Sequence, residues 1–409
     1  MSGSISGSGD GPAGFAGHAR GSREYRRLLV ALAFAGVATF TQLYSTQGIL
    51  PLIARDLGVD AATAALTVSG TTVGLAAAVI PWSWVADRIG RLPAMRIALT
   101  SATVLGLLAP LAPDIVSLVG VRIVEGVALG GLPAIALTYL AEEVDRRYAA
   151  AAAATYVAGT SVGGLLGRLI AAPVAEQADW RVGVATVAVI AAIAAAVFMA
   201  LAPRARGFDR GPVGGVAHVA RTIARLARDR VLVSLWAQGF LLMGGFVTVY
   251  NYLAFHLEGA PFLLPPSLAS LLFTAYLAGT ASSRVAGAIA ERLGTRPVLI
   301  ASSGVMLTGL VLTLVEHLAV VIVGLVVLTA GFFAGHASAS AAIGQRAATG
   351  RAQATSVYTL GYYAGSSLFG WLGGYAYLAG DWMAVVGLVA CLATIAGAVA
   401  VIGTRAPRH

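Results

Sequence analysis

Apolar residues in this chain come in runs of roughly 20, the length a helix needs to cross a bilayer, with polar residues gathered between them. The runs fall near 28–51, 62–86, 94–111, 115–140, 148–174, 182–202, 231–255, 267–290, 298–315, 319–342, 353–378 and 382–403. They predict an all-α membrane protein with twelve transmembrane helices, six in residues 28–202 and six in 231–403. Residues 1–27 are glycine-rich without an apolar segment and read as a disordered tail rather than a cleavable signal; residues 404–409 form a second short tail. The linker, 203–230, holds Gly207, Gly211, Gly214 and Gly215 and then HVARTIARLARDR, whose arginine spacing predicts an amphipathic helix on the membrane surface. Pro265 and Pro266 break the chain between the seventh and eighth spans.

The two halves repeat each other. WVADRIGRLP at 84–93 matches AIAERLGTRP at 288–297, so that Asp87, Arg88, Gly90 and Pro93 correspond to Glu291, Arg292, Gly294 and Pro297. YVAGTSVGGLLGR from Tyr156 matches YYAGSSLFGWLGG from Tyr362, and FTQLY from Phe40 echoes FVTVY from Phe246. A duplicated apolar half predicts two pseudo-symmetric six-helix bundles with a site between them.

Charge sharpens the picture. All 27 basic residues are arginine, which removes the lysine that a Walker A phosphate loop or a Schiff-base chromophore requires. With both termini inside, 22 arginines fall in cytoplasmic segments, only Arg55 and Arg181 fall outside, and Arg122, Arg168 and Arg284 lie within spans. The positive-inside rule therefore predicts cytoplasmic termini, and the net charge of +9 reflects topology and anionic lipid rather than nucleic acid. The lone Cys391 excludes internal disulfides, and no serine elbow, His-Asp cluster or metal-ligand spacing points to an enzyme, a metal or a cofactor.

The loop after the second span, SWVADRIGR at 83–91, resembles the loop motif of the major facilitator superfamily, Gly-x-Leu-Ala-Asp-Arg-x-Gly-Arg, departing at Ser83 where the family has glycine. The second copy keeps that glycine as Gly287 but has Glu291 for the acid and Thr295 for the last arginine. Asp87 can face a helix N-terminus while Arg88 and Arg91 pair with acids such as Glu142 and Glu143. Asp87, Arg88, Gly90, Arg91, Glu291, Arg292 and Gly294 are thus the expected gating loops, pairing across the inner surface.

The fourth span contains RIVEGVALGG from Arg122 and resembles the family's Arg-x-x-Gln-Gly motif, with Glu125 in the Gln place. Arg122 and Glu125 share a helical face deep in an apolar stretch, where ionisable groups are costly and mark function by default. Either they couple transport to protons or they form an internal salt bridge, and Arg168 on the neighbouring span sits at a depth that can close a cluster with them. The tenth-span counterparts, Val327 and Ala330, are uncharged, which places proton chemistry in the first half. Gly159, Gly163 and Gly167, with Gly365 and Gly373 in the second copy, let helices approach closely, and a gate between the fifth and eighth spans is expected there. The proline usual in the family's antiporters is absent; Val162, Gly163 and Gly164 occupy its region.

Over residues 28–403 the chain is similar to the major facilitator superfamily, and LYSTQGILPLIARDLGV, YLAEEV and YNYLAFHL look like its YnfM-type, acriflavin-sensitivity branch. The resemblance implies a multi-pass bacterial inner-membrane protein with a loose association to drug or metabolite efflux. Gln42, Tyr44, Gln47, Tyr250, Asn251, Tyr276, His336 and Tyr362 are the expected substrate-cavity residues; Tyr44 and Tyr250 occupy equivalent places in the repeat. The expected function is proton-coupled export of small amphipathic or aromatic compounds by alternating access, with small-molecule substrate, protons and membrane lipids as partners of a monomer. The alternatives are an importer of a small sugar or organic acid, held by cavity arginines, and a receptor or scaffold that has lost transport.

Overall fold

The computed structural model describes residues 15–208, 216–347 and 349–403. The helices are α1 (Arg23–Leu43), α2 (Leu50–Leu57), α3 (Ala61–Ile89), α4 (Arg91–Leu108), α5 (Ile115–Leu129), α6 (Gly131–Glu143), α7 (Ala149–Gln177) and α8 (Trp180–Leu201). After α9 (Val216–Leu226) in the linker come α10 (Arg230–Glu258), α11 (Pro266–Leu271), α12 (Tyr276–Leu293), α13 (Thr295–Leu312), α14 (Leu318–Arg346) and α15 (Arg351–Gly403). Loop acids start several of them: Asp60 accepts from the Thr63 amide, Asp114 from Ser117 and Asp229 from Val231, each taking up an amide that the first turn leaves unpaired.

Among the described residues ten helical segments are long and apolar enough to cross a membrane, against the twelve runs of the sequence. The difference arises at two places. α15 is a 53-residue stretch that contains two runs and breaks at Gly380 and Asp381, where the backbone leaves helical geometry. α12 carries Arg284, Glu291 and Arg292 within its 18 residues, too many charges for a span judged by apolarity alone. At the start of the chain α1 begins at Arg23, ahead of the expected 28, and residues before it dock on the end of α6: the His18 amide donates to Glu143 O at 2.7 Å. The expected tails over residues 1–14 and 404–409, and the linker glycines at 211, 214 and 215, lie outside the described residues.

Each half is built on a close crossing. Side chains at Gly159, Gly163 and Gly167 of α7 would strike the backbone of Ala33, Val37 and Thr41 on α1. In the second half Gly365 and Gly373 sit in the same way against Phe240, Thr248 and Tyr252 of α10. The glycine stripes therefore join the fifth span to the first and the eleventh to the seventh. They do not form the expected gate with the eighth, because a helix this close to one neighbour has turned its small face away from the other.

The halves meet at one end, the arginine-poor one. There Thr72 and Ser367 share a hydrogen bond of 2.7 Å, Gln47 Nε2 donates to Asn251 Oδ1 at 2.7 Å, Arg55 pairs with Glu258 at 3.1 Å, and Glu176 accepts from the Ser267 amide at 2.8 Å. Toward the arginine-rich end the helices part: Val157 and Ser161 of α7 and Thr280 and Arg284 of α12 are exposed.

Candidate functional site

Arg122 and Glu125 form a closed pair on α5, 1% and 0% exposed. Arg122 Nη1 donates to Glu125 Oε2 at 2.6 Å, Nη2 to the carbonyls of Gln42 and Leu43 at 3.0 Å each, and Nε to Thr67 O at 3.2 Å. The α1 carbonyls are within reach because α1 ends at Leu43; Gln42 O, which also accepts the Ser45 amide at 3.1 Å, uses its second lone pair. The guanidinium thus spends its donors on three helices. Among the described residues Glu125 Oε1 and Gln42 Oε1 receive no hydrogen bond, and both crowd the position that a side chain on Gly106 of α4 would take. Two buried acceptors without a donor are costly.

Arg168 does not join that pair, contrary to the expected cluster. Its Nε donates to Gln47 Oε1 at 2.7 Å and its Nη1 to Gly164 O at 2.5 Å. The guanidinium carbon lies 4.0 Å from the ring centre of Tyr44, 4.7 Å from Tyr276 and 5.2 Å from Phe273. No carboxylate among the described residues pairs with it, although it is 2% exposed. Val157, Ser161, Gly164 and Arg168 fall on one face of α7 at spacings of three and four. That face runs from the buried arginine to exposed residues at the arginine-rich end.

The other expected cavity residues divide. Tyr276 and Tyr362 are partly exposed beside Tyr44, and His336 stacks between Phe332 and Tyr362 while its Nδ1 meets the Tyr358 hydroxyl at 2.8 Å. Tyr250 is fully buried, bonded to Thr329 at 2.7 Å and stacked on Phe273, so it supports the site from behind rather than lining it. Phe246, itself stacked on Phe332, packs against the ring. Asn251 Oδ1 and Gln47 Nε2 make the bond that seals the halves, while Asn251 Nδ2 has no partner among the described residues, and Gln42 faces Glu125. Phe273 and Phe333 were not anticipated; the aromatic spacing Phe332, Phe333, His336 on the tenth span is the signal that marks the second of them.

The gating loops stay within their own halves. Arg91 bridges Asp87 and Glu142, the latter at 3.1 Å, and Arg88 lies 3.5 Å over the Trp84 ring. Glu143, expected as a partner for these arginines, accepts the amides of Arg206 and Gly207 at 2.7 Å each. Gly90 and Gly294 both adopt positive φ, +96° and +85°, which explains why glycine recurs at each tight turn. The expected pairing is thus made by Arg91 with Glu142, whereas Glu291 and Arg292 of the second loop are exposed and form no ion pair among the described residues.

The Major Facilitator Superfamily profile matches residues 32–263 and 259–409. The chain is 37% identical to the inner membrane transport protein YnfM of Escherichia coli (strain K12) over 391 residues, covering 95% of this chain and 93% of the relative. It is 33% identical to the uncharacterized MFS-type transporter YybF of Bacillus subtilis (strain 168) over 377 residues, 92% and 93% of the two chains. Its fold is similar to a crystal structure of the nucleoside transporter NupG, with a TM-score of 0.73, 14% identity, and coverage of 92% of this chain and 97% of that one.

Proposed function

The chain belongs to the major facilitator superfamily, a family of membrane transporters and not enzymes, and from that premise we propose that it exports small amphipathic or aromatic compounds in exchange for protons. The observation that carries this reading is the direction in which the site opens. The halves are sealed at the arginine-poor end, and the α7 face that carries Arg168 and the α12 face that carries Tyr276 lead to the arginine-rich one. By the positive-inside rule that end is cytoplasmic, as are both termini, so in this arrangement the site is reached from the cytoplasm, the side from which an exporter loads. Residues 28–202 and 231–403 would rock as two bodies of a monomer, linked by 203–230. Glu125 is the proton carrier in this scheme: it is a buried carboxylate with one oxygen left without a donor.

The test is transport in proteoliposomes with an imposed pH gradient, using matched anionic, neutral and cationic aromatic compounds. Uptake of any of them into vesicles of inverted orientation, abolished by collapsing the gradient, supports the reading. Equal uptake with and without the gradient removes proton coupling, and no movement of any compound removes transport of this class.

A further inference from the structure

We propose that Arg168 is an anion-binding point and that the compounds carried are aromatic monocarboxylates. This rests on the transport reading above and names its substrate class. The starting observation is a charge imbalance. An arginine in a protein stays protonated, and Arg168 is 2% exposed at membrane depth. Glu125 is occupied by Arg122 at 2.6 Å, and the acceptors of Arg168 among the described residues are the neutral Gln47 Oε1 and Gly164 O. The rings of Tyr44, Tyr276 and Phe273 hold the guanidinium in place but do not cancel its charge. A buried cation without a counter-charge is costly, and a carboxylate supplies both the charge and the planar pair of acceptors that a guanidinium fits.

A side chain on Gly164 would meet only Arg168 Nη1, at 3.3 Å, so a Cβ-sized space beside that nitrogen is otherwise open. The Tyr276 hydroxyl has no hydrogen-bond partner among the described residues and is available as a second donor. Beyond it, Phe333, His336 and Tyr362 are partly exposed and present ring faces and edges on which an aromatic body can lie. Arg284, on the same face of α12 as Tyr276 and Thr280, is exposed roughly 12 Å farther along the helix, where a positive charge draws anions inward. A single buried cation calls for a single negative charge.

The experiment compares 2-naphthoate, 2-naphthamide and 2-naphthylmethylamine by calorimetric binding to the purified full chain at pH 7, where the acid is ionised. Naphthoate is expected to bind at least about tenfold more tightly than the amide, with the amine weakest. Arg168→Gln should cut naphthoate affinity by at least about tenfold and amide affinity by no more than about threefold, Arg168→Lys should fall between, and Tyr276→Phe should cost naphthoate about threefold. Amide binding by each variant reports that the site is folded. If the unmodified chain binds the amide or the amine as tightly as naphthoate, or binds no naphthoate up to its solubility, the proposal is overturned, whether or not Arg168→Gln folds. The same compounds in proteoliposomes separate the two readings. Transport of amide or amine without preference for naphthoate sinks the anion site and leaves the transporter, whereas naphthoate binding with no transport of any compound does the reverse.

Discussion

At the scale of single residues the informative contrast is between the two buried arginines. Arg122 has an acid and three backbone carbonyls; Arg168 has a side-chain amide, one carbonyl and three rings. Because the three carbonyls hold Arg122 in place, Glu125→Gln should remove the titrating group without collapsing the corner. The expected outcome is that exchange between equal pools of a labelled substrate persists while gradient-driven accumulation is lost. A variant that still concentrates substrate like the parent would show Glu125 to be structural. The Arg122 and Glu125 pair was legible in the sequence because a spacing of three fixes which helical face both occupy. The separation of Arg168 from them was not, since its partner Gln47 lies 121 residues away and depth alone does not tell which of two neighbours a side chain turns toward.

At the scale of elements, adjacent glycines of α7 do different things. Gly163 is pressed against the backbone of Val37 on α1, whereas Gly164 faces only the far end of the Arg168 side chain. In lipid, helices associate through such close packing rather than through a hydrophobic gain. Gly163→Val must push α1 away and is expected to lower the stability of the detergent-solubilised protein by about 1–3 kcal/mol. Gly164→Ala should stay within about 0.5 kcal/mol of the parent while weakening naphthoate binding. Thermal unfolding of the two variants beside the parent checks this, and equal losses would show that the stripe is not the α1 contact. The stripe could be read from its spacing of four, but its partner could not, because small residues announce that some helix comes close without saying which. The eighth span shows the complementary limit: an apolar run at 267–290 marks it, yet the helix that forms, α12, begins only at Tyr276 and carries three charges in its 18 residues.

At the scale of the whole molecule, two serines report on the two ends. The duplicated halves, the loop motif and the apolar runs made the family and its fold legible, but not which end is sealed, since one sequence must support both the sealed and the parted arrangement of each end. Ser161 and Ser367 accordingly look alike in the sequence, each in a copy of the same glycine-rich segment. In the structure they differ: Ser161 is exposed on the open face of α7, and Ser367 is 5% exposed and bonded to Thr72 across the seal. After the exposed Cys391 is replaced by alanine, a cysteine at 161 should react quickly with a membrane-impermeant thiol reagent applied from the cytoplasmic side, and one at 367 slowly from either side. Breaking the seal with Asn251→Ala, which leaves Gln47 Nε2 without its acceptor, should shift the population toward the other arrangement. Labelling at 161 should then slow while labelling at 367 from the outside rises. If both rates stay as they were, the bond between Gln47 and Asn251 does not hold the halves together, and the sealing would rest instead on the close approach of α3 and α15, where Gly374 meets Ala62 with no room for a side chain.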